Sequence, residues 1–199
     1  MTGGPNSGNV CVNELETHDW RSDVELFTAI NRADASAFES LYHRHRDWVF
    51  RLAYRFTSNH DDALDVLQET FSYVLRKAPN LKLTAKLTTY LYPAVKNISL
   101  SLLRNRRQAE RHKRDQALCE ETLTAPPRDF DASRSDLATL VSVLPEPQRE
   151  VLLMRFLDDM VLEEIAIALD IPLGTVKSRL HNAIKTLRQD KRTRDYFDQ

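Results

Sequence analysis

Glycine is nearly missing from this chain: four in 199 residues, with three of them among the first eight. No Asn-Gly pair and no run of strict apolar–polar alternation follows, which argues against hairpins and a sheet-rich fold. Cysteine is as scarce. Cys11 and Cys119 stand alone, without CxxC spacing, so neither a disulfide framework nor a thiolate zinc site is expected. No uninterrupted apolar run approaches membrane-spanning length. The N-terminus also lacks a basic stretch leading into an apolar one, so no signal peptide or membrane insertion is expected, and the expected home is the cytoplasm. Catalytic signatures are missing too: there is no HExxH, phosphate loop, GxSxG or GxGxxG. His43 and His45 are two residues apart and cannot share a helix face, His112 and His181 sit in basic stretches, and Asp61-Asp62 has no substrate pocket suggested nearby. No enzymatic activity, metal or cofactor is expected.

What is present favours helix. Hydrophobic residues make up 42% of the chain, and Ala, Leu, Glu and Arg are abundant, so the fold class read here is all-α. Net charge is −1, which says nothing by itself about a polyanionic partner. Its distribution says more. Arg104, Arg106, Arg107, Arg111, Lys113 and Arg114 form one basic run, and Lys177, Arg179, Lys185, Arg188, Lys191 and Arg192 form another. Residues 115–136 between them are net acidic, and Asp61, Asp62, Asp65 and Glu69 open an acidic helix. Alternation of this kind suits a chain that touches both nucleic acid and a large protein partner.

The pattern divides into a lead-in over 1–22, a front helical domain over 23–107, a linker over 108–134 marked by Pro126-Pro127, a second compact domain over 135–190 and a tail over 191–199. In the front domain, Val24, Phe27 and Ile30 give a short helix an apolar face. Asp34 is placed to cap a longer helix carrying Phe38, Leu41, Tyr42, His45, Trp48, Val49, Leu52, Ala53 and Phe56. His60-Asp61-Asp62 starts the next helix, with acids at the positive end of its dipole, and Pro79-Asn80 ends it. A final helix over about 82–103 leads into the basic extension, which is polar on all sides and therefore exposed or partner-bound.

The second domain carries the most information. Leu162, Ile165, Ala166 and Leu169 (i, i+3, i+4, i+7) line one face of a short helix, and Asp170-Ile171-Pro172 breaks it. A following helix buries Val176, Leu180, Ala183, Ile184 and Leu187 and turns Lys177, Ser178, His181, Asn182 and Lys185 outward. Two helices joined by a tight turn, the second projecting donors and cations, fit a DNA major groove. On periodicity alone, an ordinary helical hairpin with a solvated basic face competes evenly.

The residues themselves tip that balance. Leu144-Pro145, Arg149-Glu150-Val151-Leu152, Glu164-Ile165-Ala166 and Gly174-Thr175-Val176-Lys177-Ser178-Arg179 resemble the promoter-recognition domain of extracytoplasmic-function sigma factors, the specificity subunits of bacterial RNA polymerase. Asp65-Val66-Leu67-Gln68-Glu69-Thr70-Phe71, Tyr90-Leu91-Tyr92, Asn97 and Leu102-Leu103-Arg104 resemble the other sigma domain over about residues 35–107. The resemblance implies two small helical domains joined by a linker, the C-terminal one holding a helix-turn-helix. It implies core RNA polymerase and promoter DNA as partners, admits an anti-sigma factor, and leaves RNA synthesis to the polymerase.

It also implies sites. Leu64, Asp65, Gln68, Glu69 and Leu75 correspond to positions facing the polymerase clamp, although helix chemistry alone would favour a solvated half-helix with Leu64 and Leu75 in the core. Asn80, Lys82, Thr84, Lys86 and Thr88 lie in or near the loop expected to capture minus-ten bases. Lys96, Asn97, Arg104, Arg106 and Arg107 are placed to hold phosphates. Thr175, Lys177, Ser178, Arg179, His181, Asn182 and Lys185 correspond to the minus-thirty-five reader, with Arg179 either holding a phosphate or bracing the first helix of the pair. Tyr90, where the family usually has Trp, reads as a core side chain. This chain departs from the pattern at Pro93, inside an expected helix, at Ser101, at Leu83 (a missing loop Gly), at Asp159 (a common Gly), at Val161 (a common capping Ser) and at Asn182 (a frequent Arg). A stand-alone helix-turn-helix regulator with an N-terminal sensing or dimerising domain is the main alternative. A helical adaptor that sequesters another regulator is a third, which the basic face disfavours.

Overall fold

The computed structural model describes residues 19–80, 83–116 and 139–190, with the side chains of Asn80 and of 112–116 outside that description. Among the described residues every regular element is helical: α1 (Asp23–Ile30), α2 (Ala35–Thr57), α3 (His60–Lys77), a 3-10 turn (Ala78–Asn80), α4 (Leu87–Gln116), α5 (Glu146–Phe156), α6 (Leu162–Leu169) and α7 (Leu173–Gln189).

Local chemistry sets most of these boundaries. Ser22 and Glu25 form a reciprocal capping box on α1: the Glu25 N–H donates to Ser22 Oγ at 3.3 Å, and the Ser22 N–H donates to Glu25 Oε2 at 2.7 Å. The described residues of the expected lead-in therefore take part in the fold, since Arg21 also pairs with Asp34 at 3.0 Å. Asp34 caps α2 by accepting from the Ser36 and Ala37 amides, and Asn59 caps α3 by accepting from Asp62. Burial would raise the Asp23 carboxyl, but His45 and Arg44 against it hold it below the usual range. They fasten α1 onto α2, with His45 Nε2 3.0 Å from Asp23 Oδ2.

The front bundle buries Leu26 and Phe27 of α1, Leu41, Val49, Leu52 and Ala53 of α2, Val66, Phe71 and Val74 of α3, and Leu87, Leu91, Tyr92 and Val95 of α4. Two expectations change here. Val24 is half exposed rather than buried. Tyr92, not Tyr90, is the aromatic sealed in the core. Tyr90 is only partly covered, and its hydroxyl lies 2.8 Å from Thr84 Oγ1.

Helix α4 holds two more corrections. It runs on to Gln116, so the basic extension and the first part of the expected linker are continuous helix. It starts at Leu87, which leaves Pro93 in its interior, and the Thr89 carbonyl loses the amide it would otherwise receive.

In the C-terminal unit, α5 and α7 pack around Val141, Leu144, Leu152 and Ala183, flanked by Leu180, Ile184 and Leu187. Arg149 Nη2 donates to the Leu144 and Ser142 carbonyls, which gives the Leu144…Arg149 spacing a physical role: the guanidinium ties down the turn before α5. Asp170 ends α6 in the left-handed region at φ 51°, and Pro172 precedes α7, as the Asp-Ile-Pro break implies. Asp159 is left-handed at φ 52°, which accounts for glycine being common there.

Val161 begins α6 with no acceptor to offer. Only the reverse half of a capping box forms, with the Val161 N–H donating to Glu164 Oε2 at 3.0 Å. Val161→Ser supplies the missing half and is expected to stabilise the fold by about 1 kcal/mol, raising the melting temperature by roughly 2–4 °C in a thermal scan.

The two units are not separate bodies. Helix α6 packs against α4, and Val151, Met154, Met160, Ile165 and Val176 belong to the same buried cluster as the front bundle.

Candidate promoter and polymerase interface

Three sets of side chains emerge on three different helices. The first is on α3. Leu64 and Leu75 are 38% and 40% exposed, so neither is a core residue. Asp65, Gln68 and Glu69 are exposed as well. At 3.6 residues per turn, Leu64, Gln68 and Leu75 fall within about 40° of one another, with Asp65 and Glu69 on the adjoining flank. The result is an apolar stripe with an acidic edge. Glu69 is engaged by Arg76 at 2.6 Å, both side chains being exposed.

The second set follows the 3-10 turn. Asn80 ends that turn, and Lys82 lies outside the described residues. Leu83 to Lys86 approach α4, with the Thr84 amide donating to the Tyr90 hydroxyl at 3.1 Å. The hydrogen bonds from Thr84 lower the Tyr90 phenol below its usual range. Tyr90 thus clips the loop to the first turn of α4 and shapes it without being a core residue. Thr88 is half-buried, while Asn97, Arg104 and Arg107 are exposed along α4. Lys96, Asn97, Arg104 and Arg107 lie within roughly 100° of arc on that helix. Arg106 points elsewhere, pairing with Asp62 of α3 at 2.7 Å. That pair makes it a brace between α3 and α4.

The third set is on α7. Lys177, Ser178, His181, Asn182 and Lys185 are exposed, Thr175 and Arg179 are half-buried, and Val176 and Ala183 are fully buried on the opposite side. The Ser178 hydroxyl donates to the Thr175 carbonyl at 3.0 Å, leaving its lone pairs free to accept. All seven residues therefore belong to one helix, with five of them turned to solvent.

A fourth group, which no local motif announces, joins the two units. Arg55 Nη1 and Nη2 donate to the two Asp158 oxygens at 3.3 and 2.8 Å. Lys86 lies 3.0 Å from Glu164 Oε1. Lys96 Nζ and the Tyr92 hydroxyl both donate to Glu150 Oε1, at 2.5 and 2.9 Å. Burial and the neighbouring Glu150 charge push the Tyr92 phenol well above its usual range, so it remains a donor. Among the described residues, no group of His, Cys, Asp or Glu could hold a metal ion, and no helix is long and apolar enough to cross a membrane.

Residues 41–109 match sigma-70 region 2 and residues 134–187 match sigma-70 region 4. The chain is 31% identical over 183 residues to the ECF RNA polymerase sigma factor SigE of Mycolicibacterium smegmatis, covering 87% of this chain and 69% of that one. It is 26% identical over 174 residues to the ECF RNA polymerase sigma factor SigW of Bacillus subtilis, covering 82% and 93%. Its fold is similar to that of CnrH in complex with the cytosolic domain of CnrY, at 21% identity and TM-score 0.64, covering 84% of this chain and 96% of that one. It is also similar to the sigma factor RpoE bound to the anti-sigma factor NepR from Bartonella quintana, at 22% identity and TM-score 0.56, covering 76% and 94%. With both sigma-70 regions in order along the chain and a relative of this identity spanning most of it, the chain belongs to the extracytoplasmic-function (ECF) family of RNA polymerase sigma factors, which direct transcription initiation.

Proposed function

We propose that the three exposed surfaces divide the work of a sigma factor. The α3 stripe of Leu64, Asp65, Gln68, Glu69 and Leu75 docks on core RNA polymerase. The segment from Asn80 to Thr88, a loop running into the first turn of α4, takes minus-ten bases, while Lys96, Asn97, Arg104 and Arg107 hold the phosphates of the opened strand. Arg106 supports that surface from behind through Asp62. Helix α7 reads the minus-thirty-five element with Thr175, Lys177, Ser178, Arg179, His181, Asn182 and Lys185. The observation that carries this reading is the separation of an acidic–apolar face on α3 from cationic faces on α4 and α7.

A helix N-terminal half in a major groove meets base edges, and cations along a helix meet phosphates, which orient without specifying. The chain supplies recognition and leaves RNA synthesis to the polymerase, in the cytoplasm. Residues 23–107 and 135–190 are the two working domains, joined through 108–134 and followed by a tail over 191–199. Since one structure of similar fold is bound to an anti-sigma factor, the same kind of partner fits this chain. A stand-alone regulator needs neither the α3 stripe nor the loop before α4.

Run-off transcription on a genomic promoter library tests the reading. The chain alone is expected to bind promoter DNA weakly, and its complex with core polymerase to bind tightly and initiate. Tight, specific operator binding without polymerase would support the stand-alone regulator instead.

A further inference from the structure

The loop before α4 has little of its own to hold it. Its described residues, Leu83 to Lys86, form no regular element, and Lys86, which precedes the helix, has no side-chain acceptor with which to cap it. Two side chains fix the loop instead. Leu83 is half-buried and packs against the front core. Tyr90, in the first turn of α4, reaches back with its phenol: the Thr84 amide donates to that oxygen at 3.1 Å, and the Thr84 hydroxyl lies 2.8 Å from the same atom. Hydrogen bonds from the Thr84 hydroxyl and amide, and from the Ala85 amide, hold the phenol below its usual range although burial would raise it. A shift in that direction marks the oxygen as an acceptor.

We propose that Tyr90 is a positioning residue for minus-ten capture: its phenol oxygen gathers the donors of Thr84 and Ala85 and sets the loop, before DNA arrives, in the conformation that receives the bases. This inference rests on the assignment of the loop to the minus-ten element and adds the residue that gives the loop its shape. Tyr90 need not touch DNA to act in this way. A loop ordered in advance loses less conformational freedom on binding, so the correct bases gain affinity. It also keeps one shape, which is what rejects the wrong ones.

The chemistry singles out the oxygen rather than the ring. A phenol offers an acceptor beside its O–H, whereas an indole offers only an N–H donor and a phenyl ring neither. Neither Trp nor Phe at this position can receive the Thr84 amide. The ring is not what seals the core either, since Tyr92 is fully buried two positions on while Tyr90 is only half-buried. Two of this chain's departures from its family also meet here. Leu83 stands near a common Gly and Tyr90 at a common Trp, and these two residues are the anchors of one loop. The residue that would free the backbone is gone, and an acceptor that holds it is present.

The test uses the full chain in holoenzyme, as Tyr90→Phe and Tyr90→Trp. The first keeps the ring and removes the oxygen; the second keeps an aromatic and puts a donor where an acceptor stood. Promoters are selected from a duplex library randomised over the minus-ten element, and opening is followed with 2-aminopurine placed within it. Hydrogen exchange over residues 83–90 is measured on the free chain. Both variants are expected to exchange the Thr84 and Ala85 amides faster and to select a less defined minus-ten sequence. Open complex should fall about fivefold, the worth of one hydrogen bond. The selected minus-thirty-five sequence, core binding and the melting temperature should stay nearly unchanged.

Asn80→Ala with Thr88→Ala separates the proposal from the reading beneath it. If that pair alters minus-ten selection while Tyr90→Phe does not, the loop reads bases and Tyr90 does not position it. If neither alters selection, the loop leaves the minus-ten element and the positioning role falls with it. Faster exchange at Thr84 with undiminished opening would also overturn the proposal, reducing the contact to a local stitch. Wild-type selection by Tyr90→Trp beside a loss in Tyr90→Phe would assign the effect to ring bulk and reject the acceptor. Should Tyr90→Phe melt early, selection and exchange are repeated well below its transition, where an unaltered minus-ten sequence counts against positioning and an altered one supports it.

Discussion

Asp65→Arg combined with Glu69→Arg is expected to weaken binding to core RNA polymerase by about 3 kcal/mol, more than a hundredfold, with little change in melting temperature. The reasoning starts from exposure. Both carboxylates stand on the solvent face of α3, away from Val66, Thr70 and Val74, which are buried on the other side. Asp65 meets no described cation. Glu69 has Arg76 at 2.6 Å, but both groups are solvated, so losing the pair costs about 0–1 kcal/mol of fold stability. At an interface with a basic partner helix the arithmetic differs. Two attractive contacts become two repulsive ones, and water is excluded from between them. Gel filtration of the variant with core polymerase, beside a thermal scan, measures both quantities. Retained co-elution at an unchanged melting temperature would remove the α3 stripe from the polymerase contact. Arg76→Ala serves as the counter-test: it releases Glu69 without altering the stripe and should leave core binding intact.

What could be read from the sequence was local chemistry. The Asp34 cap, the acidic opening of α3 and the Asp170-Ile171-Pro172 break depend on residues within a few positions of one another, and each occurs where expected. The outward set on α7 was equally legible, because a 3.6-residue period separates Val176 and Ala183 from Ser178 and Asn182 without knowledge of neighbours. Contacts over long separations were not legible. Nothing near Arg106 announces Asp62, 44 positions earlier. Glu150 and Glu164 sit in motifs that read as helix chemistry, yet their carboxylates reach Lys96 and Lys86 in the other unit. Tyr90 and Tyr92 are two apart, so they lie on different sides of α4. Period alone does not say which side meets α2; it is the side bearing Tyr92, whose ring meets Phe56. The length of α4 is hidden for a different reason: a helix polar on all sides has no apolar stripe to reveal it.

Asn182→Arg should change which base the holoenzyme prefers at one minus-thirty-five position, from adenine toward guanine. Ser178, His181, Asn182 and Lys185 follow i, i+3, i+4, i+7 spacing and are all exposed, so they form a single stripe opposite Val176 and Ala183. When the N-terminal half of α7 enters a major groove, Asn182 lies one turn beyond Ser178, within reach of base edges. Its carboxamide offers one donor and one acceptor, matching adenine N7 and N6–H. A guanidinium offers two donors and matches guanine O6 and N7, and either pairing is worth about 1–3 kcal/mol of discrimination. Lys185, a further turn along, is better placed for phosphate. Lys185→Ala should therefore weaken all promoters about equally and flatten the log K against log salt slope by about 0.9. Because α7 does not touch α4 through this face, neither substitution should disturb the docking of the two units or the binding of core polymerase. Selection from a library randomised over the minus-thirty-five element, using wild-type and variant holoenzymes, separates the two effects. A selected sequence that does not move with Asn182→Arg would shift the reading edge of α7 toward Lys177 and His181, leaving Asn182 outside the groove.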